Sequence, residues 1–347
     1  MPEEADQKVE FVSGAAPRIR LRSVVGLDVG KSATKAVFIR QTKSGMVVSE
    51  ARLLPPLDVS SGEGRRGAIL PPSWKSNYVA LAVSPQAAMV RYVTLHGRPD
   101  VHSKLGAELQ AHLSVEENTR AAFMVVPHHR RESETNVLIV AVPEALAKGL
   151  LERVTGGSIA AASLEVAGVT SVGAFMEWGP LRDSGAAVGY LDCGASSSVL
   201  ALFNRGNLCL MRKLAFGADA MTAAIADKMQ TDRKTAEEMI LDESFDISSI
   251  VAGMTDDFRQ QIRISTEFVE RREGVRVEKF YAAGGLSVTP YMRSYLASHL
   301  ERAVELWNPF SGLTCAGDDW QEKIRGQEPR FAAALGAAVG TLQGAQG

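Results

Sequence analysis

The stretch SVVGLDVGKSATKAVFIR, residues 23–40, sets an apolar run, a carboxylate, a glycine and a group of small hydroxyls directly before a second apolar run. Two apolar segments joined by such residues predict a β-hairpin, because Gly, Asp and Ser tolerate unusual backbone angles or bond their own backbone. The same tip has a chemical reading. Gly30 lets a phosphate approach bare amides, Ser32 and Thr34 offer hydroxyl donors, and Asp28 can hold hydrated Mg²⁺. One tip alone does not choose between an ordinary turn and a phosphate loop.

Repetition favours the second reading. AAVGYLDCGASSSVLALFNRGNLCLMRK, residues 186–213, repeats the design: an apolar strand, Asp192-x-Gly194, the hydroxyl run Ser196-Ser197-Ser198, then another strand. About one domain's length of chain separates the copies, as expected of two related folds facing one cleft. A third tip lies in VEKFYAAGGLSVTPYMRSYLASHL, residues 277–300, where a strand stops at Gly284-Gly285 and a helix is expected after Ser287. Two glycines suit any tight strand-to-helix turn. They also let backbone approach an α-phosphate and nucleoside, with the next helix turning its amide end toward the anion. In the order DxG, DxG, GG, the three tips can line one nucleotide cleft.

Composition narrows the classes. The 347 residues are 46% apolar and 22% charged with a net charge of −2, a soluble globular balance with no overall attraction to nucleic acid or anionic lipid. Cys193, Cys209 and Cys315 are odd in number and lack CxxC spacing, which argues against a disulfide framework or structural zinc and suits a reducing cytosol. The start, MPEEADQKVEFVSGAAPRIR, is acidic where a secretory signal is basic, and predicts a disordered leader over 1–20. No stretch approaches the ~20 apolar residues that cross a bilayer, so no direct membrane insertion is expected.

Along the chain, strands alternate with helices. The Gly/Pro-rich stretch 54–73 predicts a surface loop with no core to bury. YVALAVS and MVRYVTL predict short strands around Pro85, KLGAELQAHL at 104–113 a helix, and AAFMVV and TNVLIVAV strands. SIAAASLEV then predicts a strand and VAGVTSVGAFMEW a helix, before a domain boundary in GPLRDSGA at 179–186. One long helix is expected over about 250–272, with Ile250, Met254, Phe258, Ile262 and Val269 on a packing stripe.

These motifs resemble the actin, Hsp70 and sugar-kinase superfamily of ATP-binding folds, and within it the type IV pilus assembly PilM family. The likeness runs through GLDVGKSATK, LDCGASSS, AAGG, MRKLAFGADAMTAAIADKMQTDRKTAEEMI, VELWNPF and FAAALGAAVG. It implies an α/β, actin-like ATPase fold of two related domains around a nucleotide cleft, FtsA-like in its small inserted subdomain. The domains would span 21–183, with the insert at about 86–133, and 184–327, with a closing helix at 328–347 returning to the first.

Residue by residue, the resemblance implies ATP and Mg²⁺ as cofactors. Gly30, Lys31, Ser32, Thr34 and Lys35 would form the first phosphate loop, and Gly194, Ser196 and Ser197 the second. Asp28 and Asp192 would hold the metal through water, and Gly284 and Gly285 would meet the adenosine. Lys31 departs from the small hydroxyl common at its position. Where ATPases of the superfamily carry an acid to orient water, this chain has Ala167, so Glu165 is the remaining catalytic candidate and slow or absent hydrolysis is expected.

The implied function is a cytoplasmic assembly component, peripheral at the inner membrane through a partner. That partner is the cytosolic N-terminal tail of a PilN-like inner-membrane protein, with the pilus assembly ATPases as further contacts and no nucleic acid. Its docking edges are expected at AMVRYVTL and AAFMVV. The alternative is a small-molecule kinase of the same superfamily, which needs a catalytic Asp beside the acceptor, and no Asp between the two phosphate hairpins stands in a convincing setting for that role. A cell-division or cell-shape actin relative would bring an amphipathic membrane-binding end, and none is seen.

Overall fold

The computed structural model describes residues 10–11, 21–57, 70–96, 118–126, 134–154, 158–181, 185–242 and 244–344. Inside the expected leader, β1 (Glu10–Phe11) is a two-residue strand, so those two residues depart from the expectation of disorder. The opening motif forms β2 (Ser23–Val29) and β3 (Thr34–Thr42), and β4 (Gly45–Leu54) completes an antiparallel meander. Strand β5 (Tyr78–Val83) then joins β2 in parallel. The loop before β5 buries more than its composition suggests. Trp74 stacks on Phe38 with ring centroids 5.6 Å apart, and Leu57 and Leu70 pack against the core.

A 3₁₀ turn at Pro85–Ala87 leads into the inserted sheet of β6 (Met89–His96), β7 (Thr119–Val126) and β8 (Glu134–Pro143). Its order is β1-β7-β8-β6, with β1 running parallel to the start of β7. The expected limit at residue 133 is therefore too early, because β8 is the strand to which both β6 and β7 pair. The helix expected at 104–113 lies outside the described residues. Helix α1 (Glu144–Val154) and strand β9 (Ala160–Val166) return the chain to the first sheet, and α2 (Ala167–Trp178) crosses to the second half.

The second half repeats the first. Strands β10 (Ala187–Cys193), β11 (Ser198–Asn204) and β12 (Asn207–Leu214) form a meander. Helices α3 (Ala218–Met229), α4 (Arg233–Leu241), α5 (Ser248–Met254) and α6 (Asp256–Glu273) follow. The single helix expected over 250–272 is broken at Thr255, whose side-chain hydroxyl bonds back to Val251 O and which leaves helical geometry at φ −99° and ψ 2°. Strand β13 (Val277–Ala283) pairs in parallel with β10, and β14 (Ala303–Leu306) with β13. Between them α7 (Pro290–His299) begins three residues beyond Ser287, with Thr289 as its N-cap.

The two sheets share one topology: β4-β3-β2-β5-β9 in the first corresponds to β12-β11-β10-β13-β14 in the second. The chain comes back earlier than the expected 328. Strand β15 (Thr314–Cys315) adds to β4, and Phe310 together with Trp320 of α8 (Asp319–Lys323) packs in the core of the first sheet. Helix α9 (Ala332–Gly344) closes the fold against β2 and α2.

Glycine makes that closure possible. A Cβ on Gly26 of β2 would lie 1.9 Å from Ala334 O, and one on Gly336 of α9 would lie 2.0 Å from Thr170 O. Both contacts are with backbone, which cannot rotate away. Gly340, on the same helix, has open space beside it. Gly336→Ala should therefore cost about 2 kcal/mol by overpacking, whereas Gly340→Ala should gain about 0.5–1 kcal/mol from helix propensity. Chemical denaturation of the two variants checks this opposition of sign.

Candidate functional site

The two hairpin tips and the Gly284-Gly285 turn converge on a cleft of about 500 Å³ between the halves. Asp28, Gly30, Lys31, Ser32 and Lys35 line it from the first half, and Asp192, Gly194, Ser196, Ser197, Gly284 and Gly285 from the second. Ile240 and Leu241 of α4, with Val288 and Pro290, add an apolar wall. Thr34 is not among the lining residues. It is buried in β3 with its hydroxyl unpartnered among the described residues, while Ser198, its counterpart in the second hairpin, donates to Phe216 O at 2.7 Å.

The repeats differ at the position opposite the aspartate. In the first hairpin Asp28 lies opposite Lys35, and the two side chains form a nearly buried ion pair at 3.1 Å. In the second, Asp192 lies opposite Val199. Burial therefore pushes the Asp192 carboxyl up to about 6; the Ser171 hydroxyl opposes the shift, Asp28 adds to it and Lys35 lessens it. One paired carboxylate, Asp28, and one half-buried carboxylate without a cation opposite it, Asp192, form a donor set that a divalent cation would complete. No group of three or more metal-ligating side chains occurs among the described residues, so water would supply the rest of any metal's shell.

The glycines take different roles. Gly284 has φ +88°, and a Cβ there would lie 2.5 Å from Asp192 Oδ1 and 2.4 Å from Cys193 O. Gly284 thus lets the third tip close on the second. The amide of Leu286 donates to Cys193 O at 2.9 Å and that of Gly284 to Pro329 O at 3.0 Å, which fixes the turn. Gly285 is the open one, since a Cβ there would meet only Arg330 Nε, at 3.7 Å. Helix α7 starts too late to turn its first amides from Ser287, whose hydroxyl instead donates to Gly284 O. The amides opening α3 are also engaged: Ala218 N donates to Gly194 O at 3.1 Å and Asp219 N to Ala195 O at 2.8 Å.

Two orphaned polar atoms fit an anionic ligand here. Ser197 Oγ and Arg330 Nε are buried without a hydrogen-bond partner among the described residues, and both residues line the cleft. Burial lowers the Arg330 pKa, and nearby Asp28 opposes that shift. The sequence reading missed Arg330, Asp219 and Arg233. Arg330 lies in a short 3₁₀ turn with no motif around it, and the other two sit in helices that read as packing elements. Only the acid in the first turn of α3 was a visible signal.

Glu165 does not join them. It lies on β9, the outer strand of the first sheet, where Ser163 Oγ donates to its Oε1 at 3.0 Å and also meets Thr341 Oγ1 of α9 at 2.7 Å. Ala167 lines the cleft instead. Strand alternation explains this, because Ser163 and Glu165 share the sheet face covered by α9.

A second hollow, of about 570 Å³, adjoins the cleft. Val29, Leu57, Val83, Ala87, Leu146 and Leu150 make it largely apolar, and Gly30, Lys31, Ser84 and Ser196 line both cavities. The inserted sheet is also fastened to the second half. Tyr92 OH donates to Leu208 O at 2.9 Å, Lys213 Nζ to Ala88 O at 2.8 Å, and Arg272 pairs with Glu134. Burial is the main cause that raises the Tyr92 pKa.

Duplicated sheets, crossing helices and a cleft walled by two Asp-x-Gly hairpins define an actin-like ATPase fold. The family model described as "Type IV pilus assembly protein PilM" matches residues 75–342, and the chain belongs to that family. Among solved structures it is similar to one described as "PilM-PilN type IV pilus biogenesis complex", at 21% identity and a TM-score of 0.76, covering 93% of this chain and 99% of that one. Also similar are ethanolamine utilization protein EutJ from Carboxydothermus hydrogenoformans (13% identity, TM-score 0.44, 93% and 92% covered) and MreB 5 of Spiroplasma citri bound to AMPPNP (12%, 0.42, 92% and 95%). Curated protein sequences yield no match.

The placement of Glu165 carries a test. Burial raises its carboxyl from 4.5 to about 7 against the opposing Ser163 hydroxyl, so the folded state holds a proton that the unfolded chain releases. Stability should fall as pH rises from about 4.5 to about 7, and Glu165→Gln should escape that fall, gaining at most on the order of 3 kcal/mol over wild type. Denaturation of both proteins across this range measures it. Any phosphate release from ATP should be the same in both.

Proposed function

We propose that the chain is an ATP-binding component of type IV pilus assembly that presents a groove to the cytosolic N-terminal tail of a PilN-like inner-membrane protein. One observation carries the reading: the cleft and the apolar hollow share Gly30, Lys31, Ser84 and Ser196 as a common wall. A ligand that orders the first tip on one side changes the surface on the other. The family and the fold likeness to a PilM in complex with PilN support the choice of partner.

Bound ATP with Mg²⁺ would supply polyphosphate charge and a hydrated divalent cation. Gly30, Ser32 and Lys35 would hold phosphate from the first side, and Gly194, Ser196 and Ser197 from the second. Asp28 and Asp192 would hold the metal's water shell, with Gly285 leaving room on the nucleoside side. The carboxylates lining the cleft are Asp28, Asp192, Asp219 and Glu237, with Ala167 where the superfamily resemblance leads one to expect an acid. Turnover without the partner should therefore be slow.

The tail's apolar side chains would sit in the hollow against Leu57, Leu146 and Ala87. Of the two expected docking edges, β6 packs toward β12 and its Val90 belongs to the core, so a charge there would unfold rather than block. On β7, Met124 is 55% exposed and stays available. No helix among the described residues is long and apolar enough to cross a membrane, and in this reading the partner supplies membrane contact in the cytoplasm.

Titration of the labelled tail peptide, with and without ATP and Mg²⁺, tests the proposal. Binding should be modest and about threefold or more tighter with nucleotide, since ordering a flexible tail opposes association. Ala87→Glu, at an exposed wall position, should weaken it about tenfold or more by setting an unpaired charge against apolar side chains. Met124→Asp should leave it unchanged if the hollow alone holds the tail. A peptide that binds neither form would sink the adaptor reading.

A further inference from the structure

Asp219 stands in the first turn of α3, at the mouth of the cleft, and one carboxylate there satisfies donors from both halves of the protein. Lys31 Nζ reaches its Oδ2 at 2.8 Å from the first hairpin tip. Ser196 Oγ donates to the same oxygen at 3.1 Å from the second tip, and Arg233 of α4 binds Oδ1. All four residues line the nucleotide cleft. Lys31 has no counterpart in the second tip, where Ala195 stands in its place. Burial works to raise the Asp219 carboxyl, and the bonds from Lys31, Arg233 and Ser196 outweigh it.

We propose that Asp219 is an internal stand-in for phosphate, holding Lys31, Ser196 and Arg233 until a nucleotide's polyphosphate displaces it. The inference rests on the nucleotide reading above and adds a regulatory residue to it. An ammonium, a guanidinium and a hydroxyl converging on one anion are a donor set that recognises a terminal phosphate. A carboxylate filling that set competes with phosphate twice: it occupies the donors, and its charge repels the newcomer. Displacement is feasible because Lys31 is 64% exposed and the Asp219 side chain 22%, so the released carboxylate turns into water. The exchange also cuts the Lys31 tie between the halves, at the residue that walls the apolar hollow.

Isothermal titration of ATP and of inorganic triphosphate, each with Mg²⁺, into wild type, Asp219→Asn, Lys31→Ala and the double variant tests this. Asp219→Asn should bind both ligands about three- to tenfold tighter than wild type. Lys31→Ala should weaken binding more in the Asn background than in wild type, where the amine is already engaged. Equal or weaker binding by Asp219→Asn, in a wild type that does bind ATP, overturns the stand-in role while leaving the nucleotide reading intact. A wild type that binds neither ligand overturns both.

Ligand-free amide exchange gives a second readout that does not depend on Asp219→Asn alone. Exchange at residues 30–33 should rise in Asp219→Asn and in Lys31→Gln alike, because either cuts the same tie. Unchanged exchange in both contradicts the proposal.

Discussion

Helix α9 runs with its backbone against β2 on one side and α2 on the other, closer than any side chain would allow at Gly26 and Gly336. Everything else about the cleft depends on that approach. Because α9 follows α8 and the Glu328–Phe331 turn, fixing it on the first sheet also fixes Pro329, whose carbonyl accepts from Gly284, and Arg330, which faces Gly285. On the other side α2 carries Phe175, stacked on Tyr190 at 4.4 Å, and Ser171, whose hydroxyl meets Tyr190 OH at 2.6 Å. The second sheet is thereby locked to the helix that packs on the first, and the three tips meet as a consequence.

Within that frame, the two hairpins are copies that chemistry has made unequal. Lys35 neutralises Asp28, but with Val199 opposite it the half-buried Asp192 has no ion-pair partner among the described residues. Such a carboxylate disfavours its charged form until a cation arrives, which the raised Asp192 pKa expresses. Ser197 Oγ and Arg330 Nε have the opposite need, being donors without an acceptor among the described residues. A polyphosphate with its metal would answer both needs at once, and that complementarity between orphaned donors and an uncompensated carboxylate is the physical core of the functional reading.

Much of this was legible in the sequence, because the decisive signals are local. Asp28-x-Gly30 and Asp192-x-Gly194 sit between apolar runs of strand length, and register alone places them at corresponding hairpin ends. What stayed hidden depends on contacts distant along the chain. Glu165 looked like the remaining acid near Ala167, and only strand alternation beneath α9 shows that it shares the face on which Ser163 meets Thr341. Asp219 and Arg233 read as ordinary helix residues until folding brings Lys31 from 188 positions away. Likewise β15 is too short to announce itself, and its pairing with β4 moves the return to the first half ahead of residue 328.

The claim that nucleotide occupies the cleft between the halves is most directly tested at Gly285, the glycine whose missing side chain opens onto Arg330 and touches nothing else. A valine there starts from an open Cβ position and extends into ligand space. Calorimetric titration of ATP with Mg²⁺ into Gly285→Val, alongside thermal unfolding of the same sample, should show a wild-type melting temperature with affinity reduced at least tenfold. A folded Gly285→Val protein that binds ATP as tightly as wild type would contradict the account.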